Sequence, residues 1–269
     1  MIYEKARCPT RYMKRAHSLT DRPKNAESEI PEISVVVPMK EEMENVEPLL
    51  REIENALTGE CSFEILCVDD GSDDATLATL VKAKKQHPAL RILHHAKCCG
   101  QSTATLTGVR AAHAPWIATL DGDMQNPPAE IRNLIAARDD ADDPNLAMIA
   151  GQRIKREDGW FKRYCSRFAN GVRRRVLNDG IRDTGCSLKL IRRDVFLALP
   201  NFDHMHRFLG ALVLRTGSNV ITVEVKHRAR TAGKTKYGLG NRLWTGIVDL
   251  TGVLWLKRRA KHPIIKEVE

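Results

Sequence analysis

Between residues 33 and 120 the chain alternates short aliphatic runs with longer stretches whose apolar positions recur every three or four residues. Residues 33–37 (ISVVV), closed by Pro38, are β-branched without apolar/polar alternation, which predicts a strand buried on both faces. Val46, Leu49, Leu50, Ile53 and Leu57 share one face of a helix over residues 42–57. Pro48 then falls in its first turn, where a missing N–H costs little. FEILCVD predicts a second strand, and residues 75–86 a helix with Leu77, Leu80 and Val81 inward. RILHH reads as a third strand, QSTATLTGVRAAHA as a small-residue helix and WIATL as a fourth strand. Strands and helices alternating at this rhythm build βαβ units around a parallel sheet. The predicted class is therefore α/β, a mostly parallel sheet flanked by helices.

From about residue 151 the pattern changes. Residues 151–177 hold nine Lys/Arg and two acids, with Trp160, Tyr164, Phe168 and Val172 at four-residue steps, which predicts a basic amphipathic helix. VITVEVKHRAR predicts another strand and KTKYGLGNR a basic, glycine-punctuated loop. The polar, aperiodic residues 1–30 read as a basic flexible arm, residues 31–240 as one α/β domain, and residues 241–269 as an amphipathic helix with a basic tail.

Composition narrows the partners. In 269 residues, 42% apolar content is enough for a sizeable core, and 5% aromatics disfavours a base-stacking platform. Lys and Arg exceed Asp and Glu by 43 to 34, so an anionic partner is expected: nucleic acid, an acidic membrane face or a phosphorylated substrate. The seven cysteines are odd in number, with no CxxC and no Cys/His zinc spacing, and Cys98 and Cys99 are adjacent. These features predict reduced thiols in the cytosol. The basic N-terminus has no apolar core behind it, so no secretory signal is expected, and no apolar run reaches the length of a membrane span.

Chemistry concentrates where the predicted strands end, as α/β sheets require. Asp121-Gly122-Asp123 follows the strand WIATL, and two carboxylates one residue apart can share a hard divalent cation, Mg²⁺ or Mn²⁺, with Gln125 as a neutral oxygen nearby. The competing reading is an ordinary Asp-Gly turn. In VDDGSDD one carboxylate suits a nucleobase or ribose hydroxyl, while Ser72 or Asp73 suits a helix cap. Arg230, Gly233, Thr235 and Lys236 form a loop suited to a diphosphate, and Arg153 is a comparable cation after another strand. The His94–His95 and His204/His206 pairs read as packing or surface residues. GxSxG, Walker A, HExxH and GxGxxG are absent, which argues against the hydrolase, P-loop and Rossmann dehydrogenase classes.

Taken in order, VVVPMKEEMENV, CVDDGSDD, CGQSTATLTGVRAA, TLDGDMQNPPAEI, DTGCSLKLIRRDV, HRFLGALV and RARTAGKTKYG resemble glycosyltransferase family 2 with the GT-A fold, over about residues 33–245. The branch is that of polyprenyl-phosphate sugar synthesis, which includes dolichyl-phosphate mannose synthase and bacterial undecaprenyl-phosphate glycosyltransferases. The resemblance implies that Pro38, Lys40, Glu42, Asp69, Asp70 and Gln101 surround a nucleotide. It implies a metal on Asp121, Asp123 and Gln125, and donor diphosphate or acceptor phosphate near Arg153, Arg230 and Lys236. Arg207 lies in the family's H-R-F signature, and Asp123, Arg207 and Lys236 are the expected catalytic residues. Glu41 stands where the family usually has Asn, and Gly122 where Ala is common.

The implied reaction is inverting transfer from a nucleotide-diphosphate sugar to a polyprenyl phosphate, on the cytoplasmic membrane face. A polysaccharide, a lipid A-type glycolipid or a protein is the alternative acceptor. Processive synthases usually show Q-x-x-R-W and membrane spans, and this chain has neither. Nucleic acid is not expected as a partner, because acidic strand ends repel phosphate without a metal; self-association is left open. The fourteen residues Leu243–Leu256 reach only about 21 Å as a helix, short of the ~30 Å hydrocarbon core. Leu243, Trp244, Ile247, Leu250, Leu254 and Trp255 are therefore expected to form one apolar face lying on anionic lipid, with packing on the domain's own core as the competing expectation.

Overall fold

A computed structural model of the chain describes residues 30–153, 177, 179–228 and 239–261. The predicted arm at 1–30 (apart from Ile30), the whole of the predicted basic helix at 160–176, and Arg230, Gly233, Thr235 and Lys236 of the predicted loop lie outside the described residues. The strands are β1 (Ile33–Met39), β2 (Phe63–Asp69), β3 (Leu90–His94), β4 (Trp116–Thr119), β5 (Leu146–Arg153), β6 (Lys189–Arg192) and β7 (Asn219–Val225). They form one sheet in the order β3-β2-β1-β4-β6-β5-β7. The first four are mutually parallel, β5 pairs parallel with β7, and β6 runs antiparallel between β4 and β5.

Both faces of the sheet are covered, which explains the unbroken aliphatic runs. Val35 and Val37 point into one core with Leu49, Leu50 and Ile53 of α1 (Val46–Leu57) and with Leu80 of α2 (Thr76–Ala83). Leu134 of α4 (Ile131–Asp139) completes that side. Val36 and Leu66 point the other way, against Leu106 and Val109 of α3 (Gln101–Ala111). Phe196 of α5 (Arg193–Leu197) and Leu212 of α6 (Leu209–Arg215) join them.

Predicted details differ at α2 and at the C-terminal helix. Val81 is 56% exposed rather than inward: α2 ends at Ala83, and Thr76, Leu80 and Ala83 supply its buried face instead. In the last helix, α7 (Leu239–Arg259), the expected apolar residues from Ile247 onward divide between the core and the outside. Its Val253 is fully buried, and Leu250, Leu254 and Leu256 pack on the α3/α6 core, while Ile247, Val248 and Trp255 stay exposed. Arg215 of α6 donates to the Leu256 carbonyl, which fastens the helix end. Among the described residues no helix is long and apolar enough to cross a membrane.

At the amino edge of the sheet lies a buried charge that the hydrophobic pattern does not announce. Glu64 of β2 accepts from Ser34 Oγ, from the His113 N–H and from Arg91. Burial acts to raise its pKa, but these three donors outweigh it and hold the carboxyl below its ordinary 4.5. A depressed folded-state pKa contributes stability that is present above the unfolded value and is lost as pH falls through the folded one. Glu64→Gln is expected to lower the melting temperature at pH 7, with the gap to wild type narrowing below about pH 4, measured by thermal melts across pH.

Candidate active site

Register brings the site together. Met39 lies opposite Asp69 and Asp69 opposite His94, so Lys40, Asp70 and His95 emerge side by side at the carboxyl edge. Val36 pairs with Thr119, so three residues further on Gly122 comes level with Met39. A Cβ on Gly122 would lie 3.2 and 3.3 Å from Met39 side-chain atoms, tighter than ordinary contact, and this explains Gly in place of Ala. Strand order reverses at β1, between β2 and β4, and this crevice is where open α/β sheets place ligands.

Asp121 and Asp123 occupy the end of β4. Asp121 keeps one edge open to the crevice and accepts from Gln101 Nε2 at 2.7 Å. Burial, then the neighbouring Asp123 charge, pushes its pKa up to about 6, against the opposing pull of a Ser187 hydrogen bond, Lys189 and Arg153. Asp123 is buried, and its Oδ1 accepts the Gln125 N–H at 3.2 Å. Met124 between them has φ +62°, a left-handed conformation that folds the motif back on itself. Two crowded carboxylates in a desolvated edge are a hard-oxygen donor set that a divalent cation would relieve, so the residues present fit Mg²⁺ or Mn²⁺.

The cations around the pair are largely engaged. Arg153 forms a two-pronged pair with Asp183, at 2.6 and 2.8 Å. Asp183, and the buried Lys189 at the start of β6, lie in the stretch DTGCSLKLIRRDV, but the sequence pattern assigns neither a role. Lys189 faces Thr119 across the ladder and donates to the Cys186 carbonyl. Desolvation lowers its pKa, opposed by the thiol of Cys186 and the charges of Asp121 and Asp183. A lone lysine in the apolar run CSLKLI was the available signal.

On the β1/β2 side, Lys40 Nζ donates to the Gly71 carbonyl at 2.9 Å. Glu41 adopts φ +50°, a region Asn tolerates better than Glu, so the residue usual in the resembling family suits this backbone. Glu42 accepts from Asn45 Nδ2. Pro38 is the penultimate residue of β1, level with Val68. Asp69 pairs with His94 Nδ1 at 2.8 Å. Asp70 accepts from His95 Nδ1, Cys98 Sγ and the N–H groups of Cys99 and Gly100. Burial opposes ionisation of Asp70, and those donors outweigh it, so its pKa falls. Neither Ser72 nor Asp73 caps α2: Asp74 Oδ1 takes the Thr76 N–H, and the Ser72 hydroxyl instead accepts from the Glu41 N–H.

Arg207 lies in a short turn, Met205–Arg207, that leads into α6. The turn is pinned to the start of α3 by Ser102 Oγ and His206 Nδ1, 2.8 Å apart, beside the Gln101 that holds Asp121. Burial, then Lys189 and Arg207, drives the His206 pKa down to about 3, so the ring is neutral. His204 of the same turn faces Asp249 of α7 at 3.3 Å, tying the C-terminal helix to this edge. The Gln125 carbonyl accepts the Arg228 N–H at 2.8 Å, so the chain leaves the described residues after β7 beside the Asp121–Gln125 turn.

A mostly parallel sheet with an acidic pair at its switch point is the GT-A arrangement, and residues 34–199 match the model of glycosyl transferase family 2. The chain belongs to that family. Over 240 residues it is 33% identical to a dodecaprenyl-phosphate galacturonate synthase of Rhizobium johnstonii, covering 86% of this chain and 69% of the relative. It is 33% identical over 210 residues to an undecaprenyl-phosphate 4-deoxy-4-formamido-L-arabinose transferase of Edwardsiella ictaluri, covering 77% of this chain but 63% of the relative's length. Among solved structures, glucosyl-3-phosphoglycerate synthase of Mycobacterium tuberculosis, in complex with Mn²⁺, UDP and phosphoglyceric acid, superposes with a TM-score of 0.64 at 14% identity. That match covers 86% of this chain and 80% of the other. The Pyrobaculum calidifontis mannosyltransferase PcManGT, in complex with GDP-Man and Mn²⁺, gives 0.60 at 20% identity, covering 88% and 67%. These two likenesses show the fold.

A folded-state carboxyl pKa raised above its ordinary 3.8 costs stability once pH passes the unfolded value, and the cost is complete above the folded one. In EDTA, Asp121→Asn is therefore expected to raise the melting temperature at pH 8 by roughly 2–6 °C and to change it little at pH 4, measured by paired thermal melts.

Proposed function

We propose that the chain is an inverting glycosyltransferase that moves a sugar from a nucleotide-diphosphate sugar to a polyprenyl phosphate. The observation that carries this reading is the Asp121/Asp123 pair, crowded and part-desolvated at the sheet's switch point next to Lys40 and Asp70. Support comes from the two polyprenyl-phosphate relatives. The nucleoside takes the β1/β2 side of the crevice, bounded by Pro38, Lys40, Glu42, Asp69, Asp70 and Gln101. Asp121, Asp123 and Gln125 hold Mg²⁺ or Mn²⁺, which when bound supplies charge to the diphosphate leaving group. Arg207, with Arg230 and Lys236 from the segment after β7, receives the phosphates. Arg153 orders this edge through Asp183 rather than reaching ligand as an isolated cation.

No protein base is required. A phosphate monoester has a second pKa of about 6, so the acceptor is largely a dianion at neutral pH and needs alignment more than deprotonation. His206, half-buried and neutral, positions the Arg207 turn and takes no proton.

The exposed Ile247, Val248 and Trp255 of α7, followed by Lys257, Arg258 and Arg259, support peripheral attachment to an anionic membrane on the cytoplasmic face. The inner side of the same helix packs on the core, so α7 belongs to the catalytic unit as well as to the membrane surface.

Asp123→Asn is expected to reduce transfer at least about 100-fold with unchanged circular dichroism, and excess EDTA to do the same to wild type. Wild-type turnover in either case would remove the carboxylate pair from the mechanism. Flotation with anionic liposomes tests attachment: wild type is expected to float and to be released by high salt. The surface variant Ile247→Ser/Val248→Ser/Trp255→Ser is expected to stay at the bottom while keeping its melting temperature. Equal flotation of the two would refute membrane contact through α7.

A further inference from the structure

Spacing in the chain gives no zinc motif, yet the fold assembles a mixed soft and hard donor set at the ends of β2 and β3. Donor atoms of Asp70, His95 and Cys99 all lie within 4.8 Å of one another. Cys98 Sγ lies 3.3 Å from Asp70 Oδ2, and His95 Nδ1 lies 2.7 Å from Asp70 Oδ1. Asp70 is buried, whereas both thiols are free and exposed. The far nitrogen of His95 is held by Thr107 Oγ1 at 3.0 Å, the kind of outer contact that fixes a ligating imidazole.

We propose that Asp70, His95 and Cys99 form a thiophilic metal site for Zn²⁺, with the fourth position open to water, separate from the carboxylate pair on β4. Tetrahedral zinc, with bonds of ~2.0–2.3 Å, places neighbouring donors roughly 3.3–3.8 Å apart. Closing the site requires Cys99 Sγ to draw in on Asp70 and His95, a side-chain rotation at an exposed position, while the Asp70–His95 contact opens slightly. On binding, the Cys99 thiol releases its proton and the proton now held between Asp70 and His95 leaves Nδ1, freeing that nitrogen for the metal. The two sites sort ions by softness: all-oxygen Asp121/Asp123 suits Mg²⁺ or Mn²⁺, and thiolate with imidazole suits Zn²⁺.

The site also has a consequence for catalysis, which rests on the reading above that Asp70 and Lys40 line the nucleoside side of the crevice. Gly71 has φ +64°, and a Cβ there would lie 2.6 Å from the Lys97 backbone, so the Asp70–Gly71 turn and the Lys97–Cys99 loop are packed against each other. A Zn²⁺ ion clamping Asp70 to that loop adds positive charge near Lys40 and occupies the carboxylate facing the nucleoside. Zn²⁺ is therefore an inhibitor competitive with the nucleotide sugar.

The test uses the full-length reduced chain in excess Mg²⁺, titrated with Co²⁺. One equivalent is expected to give a thiolate-to-cobalt charge-transfer band with tetrahedral visible bands, and Zn²⁺ is expected to abolish both. Cys99→Ser is expected to weaken binding at least about tenfold, with an unchanged melting temperature and unchanged transfer in Mg²⁺. No thiolate band in wild type, or equal affinity in Cys99→Ser, would overturn the metal site. Zn²⁺ is expected to raise the KM for the donor in wild type and not in Cys99→Ser. A normal cobalt spectrum with an unmoved KM would overturn the inhibition alone. Absence of any transferase activity would count against the proposed function, and the cobalt titration would still be readable.

Discussion

Mutual repulsion between Asp121 and Asp123, in an edge that excludes much of the water, is the constraint around which the carboxyl end of the sheet is organised. Gln101 reaches from α3 to hold Asp121, and the neighbouring Ser102 meets His206 on the turn that carries Arg207. Lys189 and the Arg153–Asp183 pair close the other side. Each contact fixes a charged group beside the pair without neutralising it completely. An arrangement of this kind is poorer for the stability of the empty protein than an apolar edge would be, and well suited to a cation with a diphosphate.

The C-terminal helix extends the same logic outward. His204, in the Arg207 turn, faces Asp249 of α7, while Val253 is buried and Trp255 is exposed. One helix thus joins the turn that carries Arg207 to an outer surface bearing Ile247, Val248 and Trp255. In the proposed function, a lipid phosphate would reach the active-site edge along this helix.

How far the sequence foretold this depended on the kind of interaction. The aliphatic runs of β1, β2 and β4 and the spacing of Val46, Leu49, Leu50, Ile53 and Leu57 specify buried elements directly, because burial is a property of each position. The Asp121–Gln125 motif was legible for the same reason: its chemistry is local to five residues. Pairings between distant residues were not. Nothing in the chain says that Arg153 meets Asp183, or that Asp70, His95 and Cys99 converge, since tertiary packing of strand ends and loops decides both. Val81 and Leu250 show a third limit: helical periodicity finds an apolar stripe, while the neighbour that covers it is set by tertiary packing.

The lipid product is the most direct evidence on the central claim. Wild type incubated with a panel of nucleotide sugars, a polyprenyl phosphate and Mn²⁺ should yield, from one donor, a lipid heavier by a single sugar residue. The product should be a phosphodiester, with the anomeric configuration inverted relative to the donor by mass spectrometry and NMR. Transfer to a polysaccharide or protein acceptor with the lipid phosphate unchanged, or retention of configuration, would contradict it.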